Sequence, residues 1–412
     1  MPELHSAVRT AVHSADIEAL RPYILMALVV MVFPLVAGYI VLMERKIMAD
    51  MQVRLGPMRV GPHGLLQPIA DALKLLLKED IIPGMVDKWV FWLAPIISVT
   101  TALVAFSVIP FGPEIYITDL NIGILFVLAV SSVGILGIIL GGWASNSHYP
   151  LLGSLRSTAQ MVSYEVVMGF AIVSILLMAG TLSMVEIVEA QRANHTWFLF
   201  GKDLTLLPFG LIAGFMYLVA GMAETNRAPF DLPEAESELV AGFMTEYSGF
   251  RWALYFLAEY ANIFIISSIA VTLFLGGWLR PFPNVQWLAF IDFLPGVLML
   301  GIAGYCAYRA PKQPVQIQKL VMLLFGGLCV LLAGVLGWAF ILDANSGARA
   351  GILGGFWFLA KVFAYIYGFM WFRFTFPRYR YDQLMKLGWQ VMIPLGIANV
   401  IAIAGVLLLR KG

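Results

Sequence analysis

Along the chain, apolar stretches of about twenty residues alternate with short polar segments, at 23–43, 89–110, 122–143, 159–179, 205–223, 252–279, 286–308, 318–342, 354–375 and 390–409. A helix of ~20 residues is just long enough to cross the ~30 Å hydrocarbon core of a bilayer. The pattern therefore predicts an all-α fold, a polytopic transmembrane helix bundle of about ten spans forming a single membrane domain over residues 1–412. Asp292, Pro295 and several glycines interrupt 286–308, which makes the pair 286–308 and 318–342 the weakest of the set. The first apolar run ends in Glu44-Arg45-Lys46 instead of a small-residue cleavage site, so it is expected to stay as the first span.

Composition agrees: 60% of the residues are hydrophobic and 12% charged, whereas soluble domains carry about a quarter charged residues. Charge gives an orientation. Seventeen of the 26 Lys and Arg residues fall on the side reached after odd-numbered spans and eight on the other, with Lys361 inside a span. Basic residues favour cytoplasmic loops, so the odd-span loops are expected in the cytoplasm and both termini outside. A net charge of +1 offers no field for nucleic acid. Cys306 and Cys329 sit in apolar stretches without the spacing of iron–sulfur or zinc ligands, and the five histidines form no ligand pair. No metal site is expected. Neither a Walker loop nor a Gly-x-Gly-x-x-Gly fingerprint is present, and no internal repeat of the transporter kind is visible.

Two polar segments carry candidate chemistry. In the loop 44–88, the Gly-Pro pairs at 56–57 and 61–62 set tight turns, and from Leu65 onward Ile69, Leu73, Leu76 and Leu77 share one helical face while Asp71, Lys74 and Lys78 share another. This predicts an amphipathic surface helix. It is either a plain membrane anchor or the wall of a lipid-accessible cavity, and the neighbouring ionic groups Glu44, Arg45, Lys46 and Arg54 favour the wall.

The second segment is the acidic loop 224–251. Glu224, Asp231, Glu234, Glu236, Glu238 and Glu246 crowd into residues 223–247 against one base, Arg227. Mutual repulsion and burial both raise carboxylate pKa values, so some of these acids are expected to hold protons near neutral pH. A helix starting after Pro233 would put Glu234 and Glu238 one turn apart, as a relay if the face turns inward and as a solvated surface if it turns outward. Glu165, Glu259, Arg373 and Lys361 lie within or beside spans, where a charge is costly and is a functional hypothesis by default. Lys361 could equally snorkel to an interface.

Glu44-Arg45-Lys46, Gln52 to Pro57, Gly64 to Asp71, Gly142 to Ser147, Ser163-Tyr164-Glu165, the whole of 223–247 and Phe376 to Leu384 resemble, in order, the subunit 1 family (the H subunits) of NADH:quinone oxidoreductases, respiratory complex I. The resemblance covers nearly all of the chain outside the extreme N-terminus and about 284–350. It implies a membrane subunit, without a redox centre of its own, that encloses a quinone chamber with soluble neighbours and links quinone reduction to proton translocation. Quinone would be the substrate, ubiquinone or menaquinone, with no flavin, iron–sulfur cluster or metal on this chain. The implied partners are the other complex I subunits, especially the soluble quinone-site and iron–sulfur subunits and the small membrane subunits beside it, together with membrane lipid, in an energy-transducing membrane. Carried over, the chamber and its entrance map to Glu44, Arg45, Arg54, Asp71, Lys74, Arg227 and Arg373, and the proton relay to Glu165, Glu224, Asp231, Glu234, Glu236, Glu238, Glu246 and Glu259. The sequence departs from the family at 284–350, where an extra hairpin raises the family's usual eight spans to ten and keeps the orientation of everything downstream.

Three other readings stay in view. An ion-coupled secondary transporter would be expected to show repeats. The related subunit of membrane-bound hydrogenases shares the Glu-Arg-Lys and Gly-Pro elements, but the uninterrupted 223–247 stretch favours the quinone type. A purely structural anchor for a peripheral arm would tolerate loss of the acids without kinetic effect.

Overall fold

The computed structural model describes residues 2–113, 115–231, 240–281, 286–313, 315–342 and 347–411. Its helices are α1 (Pro2–Met51), α2 (Gln67–Leu77), α3 (Lys88–Ala105), α4 (Gly123–Ala144), α5 (His148–Ala179), α6 (Met184–Asn194), α7 (Leu207–Glu224), α8 (Gly249–Phe274), α9 (Leu294–Arg309), α10 (Gln316–Ile341), α11 (Gly347–Thr375), α12 (Tyr381–Lys386) and α13 (Ile393–Lys411). Among the described residues no strand occurs and ten helices are long and apolar enough to cross a membrane. The protein is an integral membrane protein. A bilayer core offers no water to unpaired peptide groups, and helices satisfy theirs internally.

The helices extend beyond the apolar runs. Helix α1 continues to Met51, so Glu44 and Arg45 stand on its last two turns and not in the loop that follows. Helix α5 begins at His148, about three turns before the apolar run, which brings Ser154, Ser157 and Gln160 onto a helix that faces protein.

Helix α8 is the hub, packing against α1, α2, α3, α6, α7 and α11. Every residue from Ile263 to Phe274 is buried. Its hydroxyls would be orphaned there, and each bonds back one turn: Ser267 donates to the Ile263 carbonyl (2.7 Å), Ser268 to Phe264 (2.8 Å) and Thr272 to Ser268 (2.8 Å). Helices α3 and α4 approach closely because Gly137 has no Cβ, which would collide with Ser98 Oγ and the Ala94 carbonyl.

The segment 52–66 folds back on itself. Gly61 (φ 73°) and Gly64 (φ 77°) adopt left-handed conformations, and a Cβ on Gly64 would strike the Pro57 carbonyl. This sends the chain from the end of α1 into α2, which packs on α1 and α8 while its apolar residues Ile69, Leu73 and Leu76 line a groove between the three helices.

Helices α9 and α10 pack on each other as a hairpin beside α11. The Asp292 carboxylate accepts from Trp357 Nε1 of α11 (3.2 Å) and stands 3.7 Å from Arg280 Nη1. At the other end, α10 touches the Pro62–Gly64 turn, and the His63 and Tyr305 rings lie 6.5 Å apart.

Candidate functional site

Four of the ionic residues singled out in the sequence meet where α1, α8 and α11 converge on the turn after α7. Glu44 of α1 is 8% exposed. Its Oε1 pairs closely with Arg373 Nη1 from the last turns of α11, and lies 3.7 Å from Arg227 Nη1. Arg227 Nε in turn lies 2.6 Å from Glu259 Oε1 of α8. Tyr260, the next residue, donates its hydroxyl to Glu44 Oε2 at 2.6 Å, and the Arg227 guanidinium lies 4.7 Å over the Tyr260 ring. Two acids and two arginines balance, as a low-dielectric setting demands.

Local structure explains how Arg227 reaches this point. After α7 the chain turns sharply through Asn226 (φ 51°), and Phe230 N closes the turn by donating to the Arg227 carbonyl (2.8 Å). The fully buried Gln160 of α5 holds it, with Nε2 donating to the carbonyls of Ala223 (2.7 Å) and Phe230 (2.8 Å). Asn226 Nδ2 donates to Ser157 Oγ at 3.1 Å. On the outer side the stretch 376–381 straps this turn: Tyr379 N donates to the Pro229 carbonyl (3.0 Å), its ring stacks on Phe230 (5.8 Å between centroids), and Arg378 binds Asp231 at 2.9 Å.

A cavity lies on each side of the ion network. Between α1, α2 and α8 is an open groove of about 480 Å³, largely apolar, lined by Leu35, Val41, Leu73, Leu76, Phe256 and Leu257 among others, with Arg45, Asp71 and Lys74 at its rim and Tyr260 in its wall. Inside the bundle is a smaller hollow of about 60 Å³ lined by Glu224, Glu259, Asn262, Thr225, Asn226, Ser131 and Tyr255. Tyr260 thus touches the groove while its neighbour Glu259 faces the inner hollow. A gap of about 20 Å³ lies beside Glu44, Arg227 and Arg373, and Thr225 lines both it and the hollow.

The remaining residues singled out in the sequence are spread around this core, and each described one has a definite place. Glu224, the last residue of α7, is 9% exposed, and its Oε2 has no hydrogen-bond partner among the described residues. Glu165 of α5 takes a close hydrogen bond from Ser132 of α4. Arg45 pairs with Asp71 at 2.7 Å, and Gln67 holds the other Asp71 oxygen at 3.0 Å. Lys74 is exposed along the groove. Arg54 is exposed and bonds Gln52 at 2.7 Å, away from the network. Glu246 is half-buried just before α8. Glu234, Glu236 and Glu238 lie outside the described residues. Lys361 does not snorkel: it is 9% exposed, and Nζ donates to the carbonyls of Leu275 (2.7 Å) and Leu279 (2.9 Å) where α8 ends.

Four residues of the site escape a reading of the sequence: Tyr260 as a bridge, Arg378 as the partner of Asp231, Ser132 as the partner of Glu165, and Gln160 as the brace. Each is far from its partner along the chain, up to 216 residues for Tyr260 and Glu44. The one local signal is Tyr260 itself, adjacent to a glutamate inside an apolar run.

Comparison with known proteins agrees across the length of the chain. A family model described as NADH dehydrogenase matches residues 23–404. The NADH-quinone oxidoreductase H subunit 2 of Solibacter usitatus (strain Ellin6076) is 57% identical over 392 residues, 94% of this chain and 96% of that protein. The H subunit 1 of the same enzyme from Koribacter versatilis (strain Ellin345) is 53% identical over 380 residues, 88% of this chain and 87% of that protein. The H subunit from Rickettsia rickettsii (strain Iowa) is 43% identical over 394 residues, covering 95% of this chain and 96% of that protein.

Proposed function

This chain belongs to the family of NADH-quinone oxidoreductase H subunits and so is a membrane subunit of that enzyme complex, and from that premise we propose that its groove admits quinone from the bilayer and that its buried ion network passes the consequence of quinone reduction to acids inside the bundle. The arrangement of Tyr260 and Glu259 carries the reading. One side chain lines the open groove and the next lines the inner hollow, and Glu44 and Arg227 connect them: Tyr260 bonds Glu44 at 2.6 Å, Glu44 pairs with Arg227 at 3.7 Å, and Arg227 lies 2.6 Å from Glu259.

The chemistry follows from the charges. A quinone that gains two electrons takes up two protons to become the quinol, so reduction near the groove creates either a proton demand or a transient negative charge. Arg373 and Arg227 are the cations that such a charge would attract, and each attraction competes with its pairing to Glu44. Loosening that pairing frees Glu44 and, through Arg227, Glu259 to exchange protons. Beyond Glu259 the inner hollow of about 60 Å³ has room for a few water molecules, each of which needs ~10–15 Å³, and polar groups to bind them. Protons would travel from there to Glu224 and Glu165, with Asp231, Glu234, Glu236, Glu238 and Glu246 of the acidic loop 224–251 feeding the same path. Arg45, Asp71 and Lys74 mark the mouth of the groove, and Arg54 belongs to the loop 44–88 outside it. Electrons would come from an iron–sulfur subunit docked on the cytoplasmic loops, with both termini on the opposite side and small membrane subunits alongside. In this reading the hairpin at 284–350 is an addition to an eight-span body.

The network's location between two cavities favours this over a plain anchor for a peripheral arm, since an anchor has no use for charges buried at membrane depth. A photoreactive quinone analogue added to the whole complex in its membrane tests it. Labelling is expected on peptides of the groove walls, 68–76 and 250–260, and is competed by excess quinone. Competed labelling confined to the outer faces of α9 and α10 would refute the groove as the quinone route.

A further inference from the structure

One fully buried charged side chain takes no part in the network above. Arg251, in the first turn of α8, is 0% exposed. Its Nε donates to both carboxylate oxygens of Asp80, at 2.9 and 2.8 Å, and Nη2 lies 2.7 Å from Oδ1. The guanidinium also lies over the rings of Phe91 (4.9 Å) and Trp92 (4.7 Å) of α3, and Tyr247 stacks on Phe91 at 4.0 Å. Alongside, Ile81 N donates to Ser248 Oγ at 2.9 Å, and Gly249 (φ 54°) sits where a Cβ would come within 3.1 Å of the Lys78 carbonyl.

Asp80 lies three residues past the end of α2, and α2 needs the attachment. None of its residues is buried. Its side-chain holds on the body include the contact of Pro68 with Gly38 and the Arg45–Asp71 pair, whose arginine is 41% exposed and therefore weakly binding. The Asp80–Arg251 pair is of another kind: the guanidinium is wholly buried and stacked, and its Nε reaches both oxygens of a carboxylate that is 30% exposed, so removing Asp80 strands a buried charge. Its two ends sit at the two walls of the groove, since α2 forms one and the first three turns of α8 form the other.

We propose that Asp80 and Arg251 form a latch that fixes α2 against α8 and so sets the separation of the groove walls. Neither residue lines the groove, so they are positioning residues, and their effect on quinone rests on the reading of the groove given above. A mobile α2 would leave the groove ill-formed at the moment of quinone binding while the ion network beyond Tyr260 stays intact. The latch therefore acts on KM more than on kcat.

Hydrogen exchange of the intact complex, compared between the native chain and Asp80→Asn, tests it, with Arg251→Lys as a second variant that keeps the charge and loses the planar guanidinium with its Nε donor. Exchange of the amides of 67–77 is expected to accelerate by about tenfold or more in Asp80→Asn, less in Arg251→Lys, and KM for quinone to rise roughly threefold or more with kcat changed by less than about twofold. Asp80→Glu should restore both in part. Unchanged exchange across 67–77 in an assembled Asp80→Asn complex would overturn the latch. Accelerated exchange with KM unmoved would uphold the latch and count instead against the groove as the path of quinone.

Discussion

Tyr260 joins two roles in a single side chain, wall of the groove and donor to Glu44. Replacing it by Phe keeps the packing and removes the hydroxyl. A hydrogen bond to a charged group contributes ~1.5–3 kcal/mol, so the loss is expected to lower coupled quinone reductase activity by roughly tenfold through altered placement of Glu44. Steady-state rates of the assembled complex check this, and an unchanged rate would remove Tyr260 from the path. The sequence made several such residues visible only singly. Glu44, Arg227, Glu259 and Arg373 stood out because a charge in or beside an apolar run is costly, and that cost is local information. Their pairing was not legible, because Glu44 and Arg373 are separated by 329 positions and nothing in either neighbourhood encodes the other. Asp231 illustrates the same limit. In the sequence it belongs to a crowd of unpaired acids, yet Arg378 from 147 positions away neutralises it.

Elements were easier to read than contacts. Apolar length alone located the ten spans, since burial in lipid makes hydropathy a direct physical signal. Helix ends were less visible: α1 and α5 run on through polar residues because those residues face protein or the membrane surface, not lipid. The amphipathic face from Leu65 onward anticipated α2, and the Gly-Pro pairs anticipated the folded segment before it. That segment positions α2, and Gly64 is its tightest point. Gly64→Ala would force a Cβ against the Pro57 carbonyl in a left-handed conformation, a strain of about 1–3 kcal/mol. The expected outcome is faster proteolysis within 52–66 and a raised KM for quinone, with the spans intact. Equal protease sensitivity in the native and variant complexes would show that the segment does not need its glycine.

At the scale of the whole molecule, the bundle brings an open apolar groove and a smaller hollow to one balanced cluster of charges. The long helix α8 makes this possible, because it walls the groove at Leu254 and Leu257, enters the cluster at Glu259 and Tyr260, and lines the hollow at Asn262 and Ile266. The central claim is that quinone reduction at one side is obligatorily tied to protonation at the other. Glu224 offers the cleanest probe, since it lines the hollow, and among the described residues no hydrogen-bond partner of its Oε2 would be lost on neutralisation. The measurement is simultaneous quinone reduction and proton uptake by sealed vesicles containing the complex with Glu224→Gln. The account predicts that both fall together, by about tenfold or more as expected when a proton-transfer group is removed, in a complex that still assembles. Native rates of both, at an unchanged ratio of protons to electrons, would contradict it.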